Sequence, residues 1–280
     1  QGLDLLVVQE LFMTETARIA DVIFPASSFL EKEGTFTNGE RRIQKVQRVV
    51  EPLEGTKPDG QIVVDMMRRM GYNQDGYSAD VILKEIAGIV PFFRGVRWDE
   101  LGKSGKQWPV REDGTDTRIL HTETFKRGKG RFHSWDYDIS PELNEHAERF
   151  PYILTTGRLL EHYNSGTMTR RTPNSEIVTE DLLYVHPLDA KAKGLVNGDY
   201  ARIFSARGIT TMKVKVTDVV KPGVIYTTFH FPEAAINFLT SGIGDEFTLT
   251  PEYKVVAVDF EKSQYGIFTR AECRTIIKTD

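Results

Sequence analysis

TTGRLLEHYNSGTMTRR, residues 155–171, passes from a β-rich segment through a glycine into a loop crowded with hydrogen-bonding side chains. Gly157 lets a backbone come close to a ligand, because no Cβ stands in the way. The hydroxyls and turn N–H groups that follow can hold phosphate oxygens, and Arg158 can grip a phosphate or a purine edge with two parallel bonds. The stretch therefore points to an anionic, aromatic ligand. A polar hairpin carrying a surface arginine is the plainer reading. Taken alone, His162 is a packed or hydrogen-bonding histidine rather than a metal ligand.

Downstream, residues 152–156, 200–205, 210–217 and 223–229 alternate in polarity or carry β-branched runs, the pattern of strands. Ala206-Arg207-Gly208 and Lys221-Pro222-Gly223 are turns between them. A helix is expected over 187–193, with Pro187 near its start, Asp189 in its first turn and Gly194 at its end. These elements predict a mainly β barrel with small helices at its corners over residues 148–280. Ser140-Pro141 opens a short capped helix just before it.

Upstream, residues 1–147 read as part of an α/β, parallel-sheet domain followed by a long connection. A strand at 3–8, a short helix at 14–19 and a strand at 22–25 ended by Pro25 form a βαβ unit. Residues 33–39 read as a loop. Helices follow at 61–70, between Asp59 and Gly71, and at 79–89, between Ser78 and Pro91. The methionines of the first of these helices are expected to pack in the core. From Phe92 to Trp135 periodicity is lost, and the basic run Lys126 to Arg131 reads as a solvated turn rather than a phosphate or partner site.

The chain has 280 residues, 40% hydrophobic and 27% charged, with a formal net charge of -4, so it offers no global basic field for nucleic acid. No apolar run is long enough for a membrane-spanning helix. One cysteine, Cys273, supplies neither an internal disulfide nor a metal or iron–sulfur site, and it reads as a buried small hydrophobe. The opening Gln-Gly-Leu-Asp leads straight into a buried-strand pattern without an initiator methionine, as expected of an excised, processed or trimmed chain.

TTGRLLEHYNSGTMTRR resembles the signature that opens the last domain of molybdopterin-guanine-dinucleotide oxidoreductases. VVQELFMTETARIADVIFPASSFLEKEGTFTNGERRIQ is similar to that family's penultimate domain, and TTFHFPEAAINFL with TPEYK to its final barrel. HYNSGTMTRRTPN looks closer to formate dehydrogenase catalytic (alpha) subunits than to nitrate reductases. The signature often has tryptophan after its histidine, where this chain has Tyr163.

The resemblance implies that the barrel is of the double-psi type, and it implies a bis-molybdopterin guanine dinucleotide cofactor with molybdenum or tungsten. It assigns Lys32 and Asp59 to cofactor contacts, Asp59 opposite a guanine. It assigns the loop Thr156, Gly157, Arg158, Leu159, Leu160, Glu161, His162, Tyr163, Asn164 and Ser165 to the dinucleotide and pterin. It adds Phe229, Asn237, Tyr253 and Lys254 as later contacts. Position 229 is tyrosine in some formate enzymes, so a hydroxyl is lost here. Singly, Asp59 reads as a helix cap, Lys32 as a solvated charge, Asn237 as a turn former and Phe229 as barrel core.

The metal ligand and the substrate residues are implied to lie upstream, as is a [4Fe-4S] cluster, so no catalytic or metal-ligating residue is assigned here. The implied reaction is the two-electron oxidation of formate to carbon dioxide. The implied partners are the N-terminal remainder of the subunit and iron–sulfur or flavin electron-transfer subunits, in the cytoplasm. The chain alone is expected to be inert. The alternatives are the same region of a nitrate reductase, or a non-catalytic barrel or assembly module.

Overall fold

The computed structural model describes residues 2–264, so Cys273 lies outside the described residues. The chain divides into two compact units, one ending at His133 and one beginning at Ser134.

The first unit opens with β1 (Val7–Glu10), α1 (Glu15–Arg18) and β2 (Val22–Pro25). β1 and β2 pair in parallel, Val7 opposite Val22, which is the expected βαβ unit. The first strand begins at Val7 rather than residue 3, because the Asp21 carboxylate takes the Leu6 N–H at 2.7 Å in place of a ladder partner. Thr14 caps α1, accepting from the Ala17 N–H at 3.2 Å.

The loop expected at 33–39 is instead half of a hairpin. β3 (Gly34–Thr37) pairs antiparallel with β4 (Arg42–Val46), and short β5 (Lys106–Gln107) extends the sheet. Thr35, Phe36 and Thr37 suit a pleated strand, and the Asn38 side chain closes the turn by accepting from Glu40 and Arg42 N–H at 2.9 and 3.0 Å.

α2 (Asp59–Arg69) buries only Ile62 and Val64; Met66 and Met70 are 40% and 80% exposed, so they are not the core residues their spacing implied. α3 (Ala79–Ile89) has the expected bounds, with Ser78 capping Val81. The stretch after Phe92 is not structureless throughout. Val96, Leu101 and Val110 join Ile43 and Leu83 in a small core flanked by Phe93, Trp98 and Trp108. Their spacing follows no helix or strand period, so periodicity could not reveal them.

The second unit starts with α4 (Pro141–His146), capped by Ser140. Then come β6 (Tyr152–Gly157), α5 (Asn174–Ile177), β7 (Leu182–Val185), α6 (Pro187–Ala192), β8 (Tyr200–Phe204), β9 (Ile209–Val216), β10 (Val224–Thr228) and β11 (Val256–Ser263). The strands close into a barrel in the order β10-β6-β11-β8-β9-β7, of the double-psi type expected. The barrel is lined by alternate residues such as Leu154, Leu183, Val185, Ile203, Met212, Ile225, Val258 and Phe260. Burying each large side chain contributes roughly 1.5–3 kcal/mol. α4 belongs with the barrel because its Glu142 accepts the Ala257 N–H of β11 at 3.1 Å, so the division precedes the expected boundary near residue 148.

The pairing directions sort the loops. β6 and β10 are parallel and end together, Gly157 opposite Thr228. β11 is antiparallel to β6 and starts beside that end, with Val256 opposite Leu154. β8 runs antiparallel to β11, and β9 antiparallel to β8. The connections 158–181, 205–208 and 229–255 therefore leave from one end of the barrel.

Candidate functional site

In the first unit Asp59 is the first residue of α2. It is placed beside β1 because Lys57 bonds both flanks of the β2 exit: its N–H reaches Pro25 O at 3.1 Å, and its carbonyl takes the Ser27 N–H at 2.9 Å. One Asp59 oxygen pairs with the Lys32 ammonium, and the other accepts from Gln9 Nε2 at 2.5 Å. Burial pushes the Asp59 carboxyl up, but the hydrogen bonds from Lys32 and Gln9 outweigh it and hold the group below its ordinary value. Lys32 is thus a paired charge, 23% exposed, rather than a solvated one.

Both residues line a cleft of about 200 Å³ with Phe29, Phe36, Gly60 and Tyr77. A Cβ at Gly60 would fall 2.1 Å from the Tyr77 ring, so glycine is what lets the phenol lie over the start of α2. Burial, then the carboxylates of Asp59 and Glu33, push the Tyr77 hydroxyl up, keeping it a donor to Glu33 O at 3.1 Å. Gln9, Gly60 and Tyr77 were not singled out in the sequence. No short motif joins them, since they meet only through the β2 exit.

Replacing Lys32 with methionine is expected to raise the Asp59 pKa. The lowered carboxyl stabilises the fold above the ordinary carboxylate range, and that contribution is lost as pH falls through the lowered value. A carboxyl NMR titration of the two proteins checks the shift.

In the second unit, every residue assigned by resemblance lies at the barrel end where β6 and β10 finish, or on the two long connections leaving it. The Thr156 hydroxyl donates to Tyr253 O at 3.2 Å, and the Lys254 ammonium donates to Thr156 O. The Arg158 guanidinium lies over the Phe229 ring, 5.6 Å from its centroid, and Arg158 itself is exposed. Phe229 also packs on the barrel core. Asn237 is exposed in a short turn, its carbonyl accepting from Thr240. Leu160, Tyr163, Asn164 and Ser165 stand exposed on the loop, while Glu161 O is held by Asn174 Nδ2 at 2.7 Å.

His162 is 4% exposed and uses both ring nitrogens inside the loop. Val178 O, at 2.9 Å, accepts only, so Nε2 carries the proton, and Nδ1 then accepts from the Thr169 hydroxyl at 3.1 Å. That hydroxyl in turn takes the Tyr163 N–H at 3.2 Å.

Two further residues at this end were missed. Asp181, 3% exposed, accepts from the Thr228 hydroxyl and from the N–H groups of His230 (3.3 Å) and Phe231 (2.9 Å). His230, wholly buried, bonds Leu159 N–H at 2.9 Å and Asn164 O at 2.6 Å.

Among the described residues nothing accepts from the backbone N–H groups of Leu160, Glu161, His162, Asn164 or Ser165. Asn164 and Gly166 take positive φ, 49° and 70°, within this run. With the Ser165 and Thr167 hydroxyls and exposed Arg158, the donor set fits phosphate oxygens. In the first unit the ionised Asp59 supplies acceptors that fit a base edge bearing N–H groups.

Gly166 is held to its conformation from two sides: a Cβ there would meet the Arg170 side chain at 2.6 Å and His230 O at 2.8 Å. Gly166→Ala is expected to cost about 1–3 kcal/mol, through left-handed backbone strain together with the blocked backbone oxygen. Urea unfolding of the two proteins measures it.

Residues 152–257 match the molydopterin dinucleotide binding domain, and residues 1–69 match the molybdopterin oxidoreductase family. The chain is 40% identical to the F420-dependent formate dehydrogenase subunit alpha of Methanocaldococcus jannaschii over 94% of its length, covering 40% of that protein. It is also 40% identical to F420-dependent formate dehydrogenase 2 subunit alpha of Methanococcus maripaludis over 94% of its length, covering 39% of it. A probable oxidoreductase of Bacillus subtilis is 38% identical over 93% of the chain, which spans 27% of that protein. Among solved structures, the acetylene hydratase of Pelobacter acetylenicus superposes with a TM-score of 0.67 over 93% of this chain and 40% of its own, at 19% identity, a likeness of fold. The barrel with its donor-rich loop thus falls inside the molydopterin dinucleotide binding match, and the βαβ unit falls inside the molybdopterin oxidoreductase match.

Proposed function

We propose that this chain is the cofactor-binding region of a formate dehydrogenase catalytic subunit, holding a molybdopterin guanine dinucleotide. The observation that carries the reading is the convergence of the 157–166 loop, Arg158, Phe229, Tyr253 and Lys254 on one barrel end, with a row of backbone N–H groups that meet no acceptor among the described residues. The names of the relatives support formate as the substrate.

In this reading Asp59 accepts from the N–H groups of a guanine, and Lys32 sets that carboxylate's charge and orientation. The loop amides from Leu160 to Ser165, with Arg158, hold phosphate oxygens. Thr156, Gly157, Phe229, Asn237, Tyr253 and Lys254 complete the contacts. The metal–pterin group, molybdenum or tungsten, supplies the two-electron chemistry of formate oxidation, while the protein fixes its position and hydrogen bonding. Substrate residues, the metal ligand and a [4Fe-4S] cluster are assigned to the N-terminal remainder of the subunit, and iron–sulfur or flavin subunits take the electrons, in the cytoplasm. No helix among the described residues is long and apolar enough to cross a membrane.

Mass spectrometry of cofactor extracted from the native full-length assembly, with metal analysis, tests the reading. A guanine-dinucleotide pterin with molybdenum or tungsten is expected, together with formate-dependent rather than nitrate-dependent dye reduction. Neither pterin nor metal in a properly matured sample would sink it. The isolated chain is expected to show no formate oxidation.

A further inference from the structure

We propose that His230 is the positioning residue that sets the 159–164 loop in its ligand-taking form; the ligand half of this proposal rests on the dinucleotide reading above. Its two ring bonds determine its state. Asn164 O cannot donate, so Nδ1 carries the proton; the Leu159 N–H cannot accept, so Nε2 is bare. A neutral imidazole with its proton on Nδ1 thus ties the two ends of the loop together from beneath, wholly shielded from solvent.

The ring is itself anchored. The His230 N–H donates to Asp181, whose carboxylate also holds the Thr228 hydroxyl and the Phe231 N–H. Phe229 lies 5.4 Å from the ring centroid on one side and His162 5.9 Å on another. The entrance of β7, the exit of β10 and the β6 loop are therefore one bonded unit. The consequence is a division of labour among the loop amides. Leu159 N–H is spent inward on His230, and its bond orients the peptides that follow. The N–H groups of Leu160, Glu161, His162, Asn164 and Ser165 meet no protein acceptor among the described residues. The ligand class is an anion with several oxygens, the diphosphate of a dinucleotide.

Three variants of the full-length enzyme separate this from a merely structural role. His230→Phe keeps the ring but removes both bonds. His230→Gln puts an acceptor at the Nε2 position, and His230→Asn puts a donor at the Nδ1 position. Two readouts are taken: hydrogen exchange of the 158–166 segment in cofactor-free protein, and guanine dinucleotide per subunit in matured protein.

Because a buried donor and a buried acceptor lose their partners, His230→Phe is expected to speed loop exchange and lower dinucleotide content by about tenfold each. His230→Gln should restore dinucleotide content more than His230→Asn, because Leu159 sets the direction of the following amides. If His230→Phe cannot be purified, the Gln and Asn pair carries the same comparison. Unchanged loop exchange, or faster exchange with wild-type dinucleotide content, overturns the proposal. Loop exchange that responds as expected in an enzyme whose wild type carries no dinucleotide overturns the cofactor reading and the ligand assignment with it, while leaving the His230 clamp in place.

Discussion

Glu142→Ala is expected to destabilise the barrel unit by about 3–5 kcal/mol, the cost of breaking a buried ion pair from one side. The Glu142 side chain is 1% exposed. Arg207 grips both its oxygens, at 3.0 and 2.6 Å, and also donates twice to Leu239 O. The same carboxylate accepts the Ala257 N–H at 3.1 Å. The pair thus joins α4, the β8–β9 hairpin, the 229–255 connection and β11. Alanine would strand the guanidinium and leave the Ala257 N–H without its acceptor. Glu142→Gln keeps the volume and one acceptor, so its loss should be smaller. Urea unfolding of the single variants and of the double variant with Arg207→Ala checks this. The double variant should lose less than the sum of the singles, because each single already removes the shared interaction. A loss below about 1 kcal/mol for Glu142→Ala would mean that the pair does not fix α4 on the barrel.

The same residue shows where sequence reading stops. Glu142 follows Ser140-Pro141 at the start of a capped helix, where an acidic residue complements the helix dipole and needs no further account. Nothing local tells that charge from one buried against an arginine 65 positions later. Elements with a local signature were legible: the βαβ unit, α3 with its Ser78 cap, α6 with Pro187, and the strands around the Ala206-Arg207-Gly208 turn. β7 and β11 were not, although they close the barrel. Their partners lie far along the chain, and a four-residue apolar run such as Leu182–Val185 carries little periodicity of its own. The methionines of α2 failed in the opposite sense, since their spacing implied a broad apolar face while the helix buries only Ile62 and Val64.

The candidate site divides in the same way. The loop 156–165 carries its glycine, hydroxyls and arginine together in sequence, whereas the distant Phe229, Tyr253 and Lys254 are implied only by resemblance. What holds the loop was not legible. His230 reaches Leu159 and Asn164 across separations of 71 and 66 residues. His162, by contrast, bonds Thr169 and Val178 within its own loop, as the plain reading of a hydrogen-bonding histidine had it.

Asp181→Ala is expected to cost about 3–5 kcal/mol, because three buried donors lose one acceptor group: the Thr228 hydroxyl and the N–H groups of His230 and Phe231. The carboxylate also predicts a pH dependence with a definite sign. Burial pushes the Asp181 carboxyl above its ordinary value, and the bonds from Thr228, Phe231 and His230 pull back without cancelling that rise. The folded chain therefore binds this proton more tightly than the unfolded chain does. The stabilisation linked to the proton is fully present below the ordinary carboxylate range and is lost as pH rises through the raised value. Asp181→Asn has no such proton, so the stability of wild type relative to Asp181→Asn should fall across that interval and then level off. Urea unfolding of both proteins at several mildly acidic pH values reads this directly. A difference that rises with pH over the interval would mean that the hydrogen bonds, rather than burial, govern the carboxylate, and that Asp181 holds the β10 exit as an anion from low pH upward.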